Sequence, residues 1–277
     1  VLTERLGPFA VSAVASGAAD RWFFVRYNDP RPHLRVRIHG VPADLRTQVL
    51  PLFESLAEGL LSDQLAWKVQ LDTYEREMKR YGGEEGIDLC EEIFGHDSDA
   101  VVDLLDLLPG DQGAEARWRL TVKGMDMLLD DLGFDLRAKS AILVLVSEGY
   151  TREFSVEGGL KRNILARYRT HREALETLLD PACGPGHPLR PGIELFRRRS
   201  ERYRPAIGEL ARRAREGRLN LPLSGLAPSL LHMHANRMFR AAARAQEAVV
   251  YRFLERHYAS LLARQEGETE GKLTPSE

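Results

Sequence analysis

Two arginines alternate with apolar residues in a short run near the start of the chain. Arg35 and Arg37 lie within residues 33–39 (HLRVRIH), where polar and apolar side chains alternate strictly. In a β-strand, side chains two positions apart point to the same face, with Cα atoms roughly 7 Å apart. Each guanidinium can then form a bidentate pair with a carboxylate. The run predicts an anion-binding strand; the alternative is an ordinary polar strand face paired with nearby acidic side chains.

A third arginine precedes a pair of glycines. Arg80 is followed by Tyr81, Gly82 and Gly83. Two glycines in a row indicate a turn with positive φ, or the close approach of another segment. The alternative is a helix C-cap at Gly82. If a helical turn precedes the glycines, Arg80 lies at its C-terminal end, where a cation is favoured.

A histidine on a predicted helix completes the set of reactive side chains. His232, His234 and Asn236 occur in residues 229–239 (SLLHMHANRMF). His232 and Asn236 are four positions apart, so they share one helix face, and Asn236 could orient the imidazole. A histidine so placed can act as a general acid or base near neutral pH. The alternative is a core histidine whose hydrogen bonds are all satisfied.

Residues 190–218 are dense in arginine, with apolar side chains between them. A solvated helix face is the simplest interpretation. The alternative is a docking surface for an acidic peptide or partner.

The elements that must position these residues fall into two parts. Strands are predicted at 21–27, 33–39 and 65–74, with a helix at 43–62, which gives a β-β-α-β start. From residue 84 the pattern is helical, at about 85–94, 97–108, 114–131, 136–149, 157–180, 190–217 and 226–264. We therefore expect an α+β fold in which a small antiparallel sheet near the N-terminus packs against a large helical C-terminal part. One domain spans 1–264, with its sheet in 1–83 and its helices in 84–264, and a polar tail follows at 265–277.

Composition excludes several classes of protein. The 277 residues include 39 basic and 41 acidic side chains, so a net charge of −2 argues against direct binding of nucleic acid. Two cysteines without a neighbouring Cys/His cluster predict neither a disulfide framework nor a metal site. Nucleotide-cofactor, α/β-hydrolase and zinc-protease motifs are absent, so no cofactor is expected. No apolar run is long enough to span a bilayer and no signal-peptide pattern is present, which together predict a cytoplasmic protein.

Three segments in this order resemble one protein family. They are RWFFVRYNDPRPHLRVRIHG (21–40), DTYEREMKRYGG (72–83) and SLLHMHANRMF (229–239). Together they resemble the C-terminal elimination domain of class I lanthipeptide dehydratases, which also occurs as a standalone protein in thiopeptide biosynthesis. The stretches EEIFGHDS (91–98) and HREALETLLD (171–180) are lesser points of similarity. The resemblance runs from about residue 10 to residue 264.

The resemblance implies a reaction and a set of residues. In this family a partner uses glutamyl-tRNA to esterify Ser or Thr of a precursor peptide, and the elimination domain expels glutamate to leave dehydroalanine or dehydrobutyrine. His232 and Arg80 match catalytic positions, with His234 a weaker alternative for the histidine. Arg35 and Arg37 match residues that hold the glutamate, and we add Asn236 to this substrate-binding group. Arginines would stabilise the departing carboxylate, while His232 would act as base or acid.

Two other functions compete with elimination. Related pyridine synthases join two dehydroalanines by a formal [4+2] cycloaddition and expel water and the leader peptide; they have no glutamate to hold. A non-catalytic subunit that binds the leader peptide would not need His232. The expected partners are a precursor peptide of leader plus core and a glutamylating protein, with a homodimer as a further expectation.

Overall fold

The computed structural model of the protein describes residues 1–108, 110–153, 158–184, 186–241 and 243–273. The chain divides into two compact units. The first contains Val1–Gly110 and Arg197–Leu221, and the second contains Asp111–Phe196 and Pro222–Glu277.

The first unit is built around a two-stranded antiparallel sheet. A π-helical turn at Leu2–Leu6 leads into α1 (Gly7–Ala15), which precedes β1 (Arg21–Tyr27) and β2 (His33–His39). In the sheet, Arg21 lies opposite His39 and Tyr27 lies opposite His33.

A helical segment and a long helix complete the first unit. The helical segment consists of α2 (Pro42–Asp44), a π-helical turn (Leu45–Val49) and α3 (Leu50–Ser62). A 3₁₀ turn at Met78–Arg80 then leads into α4 (Glu84–Asp106). Residues 197–215, which belong to α8 (Arg190–Arg215), return to this unit from later in the chain.

Helix α4 covers β1. Trp22, Phe23, Phe24 and Val25 are all buried, so both faces of β1 are covered. The Phe23 and Phe94 ring centroids are 5.5 Å apart, and the Trp22 indole N–H donates to Asp99 at 2.9 Å. A Cβ at Gly95 would lie 3.1 Å from the Trp22 carbonyl oxygen. Glycine at this position therefore lets the helix approach the strand closely.

The second unit is helical in its described part. It contains α5 (Gly110–Asp131), α6 (Leu136–Glu153), α7 (Gly158–Leu179), α9 (Leu223–Met238) and α10 (Ala243–Leu273). Helix α10 packs against α6, α7 and α9. Buried Asp126 on α5 accepts hydrogen bonds from Lys139 Nζ and the Tyr258 hydroxyl, each at 2.8 Å. This carboxylate links three helices of the unit.

The α+β class is confirmed, but the predicted third strand is wrong. Residues 65–74 form no strand, and the sheet described has only β1 and β2. Alternating side chains stabilise a strand when one face is buried and a neighbouring strand accepts its backbone hydrogen bonds. Here Trp67 is 70% exposed and Leu71 is 66% exposed, so the alternation marks no core face.

Two helix boundaries also differ from the predictions. The predicted break near residues 95–96 is wrong, because Gly95 serves the contact with β1 inside one continuous α4. The predicted single helix 226–264 is instead α9 and α10, separated at Phe239, which is extended (φ −94°, ψ 126°) and buried. Packing of the Phe239 side chain overrides the good helix propensity of the sequence around it. Helix α10 continues to Leu273, so much of the predicted polar tail is helical.

Among the described helices, none combines the length and the hydropathy that a bilayer-spanning segment requires.

Candidate functional site

Arg35 and Arg37 lie on the same face of β2, as their spacing predicts. The register places Arg37 opposite Phe23 and Arg35 opposite Val25 in β1. Arg35 is exposed, its guanidinium lies 3.9 Å from the Tyr27 ring centroid, and its Nε donates to His33 Nε2 at 3.2 Å. The Arg35 guanidinium is thus restrained by a cation–π contact with Tyr27 and by a hydrogen bond to His33.

Arg37 is half-buried and has unused hydrogen-bond donors. Its guanidinium lies 4.3 Å from the Tyr74 ring centroid and 5.5 Å from that of Phe23. Within the described part of the chain, its Nε and Nη1 atoms are buried without a hydrogen-bond acceptor. Leaving such donors unpaired costs free energy, which a bound carboxylate would offset. This arrangement favours an anion site over the alternative of a strand face paired with protein carboxylates.

A buried carboxylate lies close to Tyr74, whose ring contacts Arg37. Glu91 on α4 is buried and accepts hydrogen bonds from Arg76 Nε and Nη2, each at 2.9 Å. Burial and the nearby charge of Glu91 raise the pKa of Tyr74 well above its usual value, so the hydroxyl remains protonated. The Tyr74 ring over which the Arg37 guanidinium lies also packs edge-on against Phe23, with ring centroids 6.0 Å apart.

These supporting residues were missed by the sequence analysis. Glu91 lies four positions after Ile87 and three positions before Phe94, so its neighbours on the same face of the predicted helix are apolar. An acidic residue among apolar neighbours on a predicted helix is the signal that could have marked it, since a buried carboxylate requires partners.

Arg80 lies at the end of the 3₁₀ turn that precedes the glycine pair. It is exposed, and its Nη1 donates to Glu77 Oε2 at 3.2 Å. Gly82 and Gly83 have φ values of +88° and +79°, so the predicted turn with positive φ is confirmed. The Asn220 side chain donates to the Lys79 carbonyl oxygen at 3.2 Å. The turn that carries Arg80 is therefore tied to the returning segment of the first unit.

His232 on α9 is bound to a buried glutamate. Its Nδ1 lies 3.0 Å from Oε2 and 3.1 Å from Oε1 of Glu247 on α10. The Glu247 side chain is fully buried, whereas His232 is 22% exposed. The Tyr150 hydroxyl also donates to Glu247, and Arg244 Nη1 donates at 3.3 Å. The imidazole thus combines a fixed orientation with access to solvent.

The burial of His234 favours His232 as the reactive histidine. His234 is 1% exposed and packs edge-on against Phe196, with ring centroids 5.4 Å apart. A Cβ at Gly124 would lie 2.5 Å from His234 Nε2, so only glycine fits beside this ring. His234 therefore lies in the core of the second unit.

Glu247 was not found by the sequence analysis, which assigned Asn236 to orient the imidazole. Asn236 is buried on α9, and the partner of His232 Nδ1 is Glu247. Had α9 and α10 been one helix, the 15 positions between His232 and Glu247 would separate them by about 22 Å. The break at Phe239 is what lets α10 bring Glu247 to His232.

The predicted site residues belong to both units. Arg35, Arg37 and Arg80 lie in the first unit, and His232 and Asn236 lie in the second. Their convergence on one pocket stays a prediction. Within the described residues, no group of three or more His, Cys, Asp or Glu side chains is placed to hold a metal ion.

Comparison with protein families gives one match along nearly the whole chain. Residues 1–258 match the family described as "Lantibiotic biosynthesis dehydratase C-term". Subtilin biosynthesis protein SpaB of Bacillus subtilis is 41% identical over 106 residues, covering 35% of this chain and 10% of SpaB. Nisin biosynthesis protein NisB of Lactococcus lactis subsp. lactis is 31% identical over 98 residues, with the same coverages of 35% and 10%. The chain thus matches about a tenth of the length of these curated relatives.

Solved structures with this fold include a long dehydratase and two chains of similar size. MibB, a tRNA-dependent lantibiotic dehydratase from Microbispora sp. 107891, superposes with a TM-score of 0.69 at 24% identity over 95% of this chain and 27% of MibB. TsrL superposes with a TM-score of 0.65 at 20% identity over 93% of this chain and 91% of TsrL. TbtD, a pyridine synthase from thiomuracin biosynthesis, superposes with a TM-score of 0.57 at 15% identity over 93% of this chain and 92% of TbtD. At these identities the likeness concerns the fold alone.

Proposed function

Since the chain belongs to the family of lantibiotic biosynthesis dehydratase C-terminal domains, we propose that it eliminates glutamate from glutamylated Ser and Thr residues of a precursor peptide. The products are dehydroalanine and dehydrobutyrine. The chain would be a carbon–oxygen lyase that needs no cofactor, because a base and a stabilised leaving group are enough for the reaction.

The observation that supports this proposal most directly is the burial of Arg37 donor atoms without an acceptor among the described residues. Its buried Nε and Nη1 atoms have no acceptor among the described residues, and Arg35 lies on the same strand face. A glutamyl ester leaves as a carboxylate, and fixed guanidinium groups stabilise the charge that develops on it. Cycloaddition of two dehydroalanines releases no such anion, so this feature favours elimination over pyridine formation.

The other site residues supply the remaining parts of the reaction. His232 would take part in removal of the proton from Cα. Arg80 would stabilise the negative charge on the leaving carboxylate. Glutamylation itself would be performed by a separate protein or domain, by analogy with the tRNA-dependent MibB, of which this chain matches 27%. The precursor peptide would supply both a leader for binding and a core for reaction.

One mass-spectrometric experiment separates the competing functions. The protein is incubated with a glutamylated precursor peptide and, separately, with a linear peptide that carries a leader and two dehydroalanines. Loss of glutamic acid from the first peptide is the expected result. Loss of leader and water from the second peptide would instead identify a pyridine synthase, and two unchanged masses would identify a binding subunit.

A variant assigns the reaction to the site. His232→Ala should lower the rate of glutamate loss by about 10²–10⁴-fold, the usual contribution of a positioned base. Undiminished elimination by this variant would remove His232 from the mechanism.

A further inference from the structure

The geometry around His232 points to Glu247 as a positioning residue that keeps a hydrogen on Nδ1 and leaves Nε2 as the catalytic base. This inference rests on the proposed elimination function and decides between the two roles, acid and base, that the sequence leaves open for His232.

The hydrogen-bond partner of His232 determines its tautomer. Both oxygens of the Glu247 carboxylate lie within 3.1 Å of His232 Nδ1. A carboxylate only accepts hydrogen bonds, so the hydrogen between the two groups must be on Nδ1. A neutral imidazole carries one N–H, so its lone pair is then on Nε2.

The protein holds Glu247 in place from three helices. A fully buried carboxylate is costly unless several donors satisfy it. Besides His232 on α9, the Tyr150 hydroxyl on α6 and Arg244 on α10 donate to Glu247. Glu247 is therefore fixed before any substrate arrives, and its position in turn fixes the imidazole ring.

The proposed step balances as follows. Nε2 of His232 accepts the proton from Cα of the glutamylated residue. The electron pair of the C–H bond becomes the second bond between Cα and Cβ. The Cβ–O bond breaks, and its electron pair leaves with glutamate as a carboxylate. The imidazolium that forms is stabilised by Glu247 and then loses its proton to water.

The test compares Glu247→Gln with a matched change on the same helix. In Glu247→Gln the side-chain NH₂ can donate to Nδ1, which shifts the hydrogen of the ring to Nε2. We expect kcat for elimination to fall about 10²-fold with little change in KM, because a base in the wrong tautomer binds substrate but does not take the proton. Tyr150→Phe should lower kcat about tenfold by removing one donor to Glu247.

The matched control is Glu255→Gln, which removes an ion pair with Arg252 at 2.5 Å on α10. This variant should retain wild-type kcat and the wild-type tautomer of His232.

A second readout reports on the ring itself. Two-bond ¹H–¹⁵N correlation spectra of the whole chain show which nitrogen of His232 carries the hydrogen, with His232→Ala used for assignment. We expect Nδ1–H in the wild type and Nε2–H in Glu247→Gln. Wild-type protein with hydrogen on Nε2 would overturn the inference, as would Glu247→Gln with an unchanged kcat.

The inference and the proposed function fail in different ways. If the wild type eliminates glutamate and Glu247→Gln does so equally well, the inference alone fails. If the wild type shows no elimination, the proposed function fails, while the spectra still test the tautomer. Should Glu247→Gln not fold, kcat and the tautomer of His232 are measured in Tyr150→Phe and Glu247→Asp instead.

Discussion

At the scale of single residues, Arg35 and Arg37 differ although they share one strand face. Arg35 is exposed, and its Nε donates to His33. Arg37 is half-buried between Tyr74 and Phe23, with two donor atoms that have no acceptor in the described part of the chain. A carboxylate at Arg37 would be shielded from water, so its interaction would be the stronger of the two.

We therefore predict that Arg37→Ala lowers kcat/KM for glutamate elimination by about 10²–10³-fold, the usual effect of removing one donor to a developing anion. Arg35→Ala should cause a smaller loss. Arg37→Lys should not restore activity, because an ammonium group cannot form the bidentate pair of a guanidinium. The rate of glutamate release from a glutamylated peptide measures all three.

Arg46→Ala is the control for these changes, since Arg46 is an exposed arginine of the same unit. Equal activities of Arg37→Ala and Arg46→Ala would show that Arg37 does not hold the leaving group.

At the scale of elements, the glycine pair determines where Arg80 lies. Gly83 combines φ +79° with ψ −163°, a conformation that side chains with a Cβ rarely adopt. Gly83 is also the N-cap of α4, since the Gly86 and Ile87 N–H groups donate to its carbonyl oxygen at 3.2 and 3.1 Å. A change at this position affects both the arginine turn and the helix that packs on β1.

Gly83→Ala should therefore lower the free energy of unfolding by about 1–3 kcal/mol. Gly59→Ala offers the opposite case, because Gly59 lies within α3 and has no atom near the position of a Cβ. That change should raise the free energy of unfolding by roughly 0.5–1 kcal/mol. Urea denaturation measures both, and a neutral Gly83→Ala would contradict the assignment of strain to this turn.

The elements that could be predicted were those specified by local pattern. The two strands, the shared face of Arg35 and Arg37 on β2, and the glycine turn follow from alternation and from backbone preferences within a few residues. The pairing of His232 with Glu247 could not be predicted, because it depends on a helix break at Phe239 that no glycine or proline marks. The false third strand at 65–74 has the same origin, since alternation does not reveal whether a neighbouring strand is present.

At the scale of the whole molecule, arginines at the C-terminal end of the arginine-dense region are neutralised by glutamates of the first unit. Arg212 pairs with Glu209 and Glu216, and Arg213 pairs with Glu85 and Glu209. These contacts favour the interpretation of a solvated helix face over that of a docking surface. Arg199 fits neither a solvated face nor a docking surface, because it is buried and donates to Asp97 at 2.8 Å.

The second unit contains a buried lysine, Lys139, whose ion pairs should make the stability of the unit depend on pH. Lys139 Nζ lies 2.8 Å from Asp126 and 2.7 Å from Asp130. Burial alone would lower the pKa of Lys139, but the two carboxylates outweigh it and raise the pKa above 10.5. A raised lysine pKa means stability that is fully present below about pH 10.5 and is lost as pH rises through the folded-state pKa.

Lys139→Met should accordingly lower the free energy of unfolding at pH 7 by about 3 kcal/mol, because it leaves buried Asp126 without its nearest cation. The difference from wild type should narrow as pH rises above about 10.5, because the unfolded chain then loses the Lys139 proton that the folded wild type retains. Urea denaturation at pH 7, 9 and 11 measures it, with exposed Lys68→Met as control. A difference that stays constant with pH would show that the ion pair does not stabilise the unit.

The return of residues 197–221 to the first unit has a consequence for synthesis on the ribosome. Asp97 and its partner Arg199 are 102 positions apart, and Arg213 reaches the Glu85 carbonyl oxygen across 128 positions. At a translation rate of about 5–20 residues per second, roughly 5–20 s pass between the synthesis of Asp97 and the synthesis of Arg199. Because burial of the unpaired Asp97 carboxylate is costly, α4 cannot complete its packing during this interval. The nascent first unit therefore remains open to chaperones until most of the second unit has been translated.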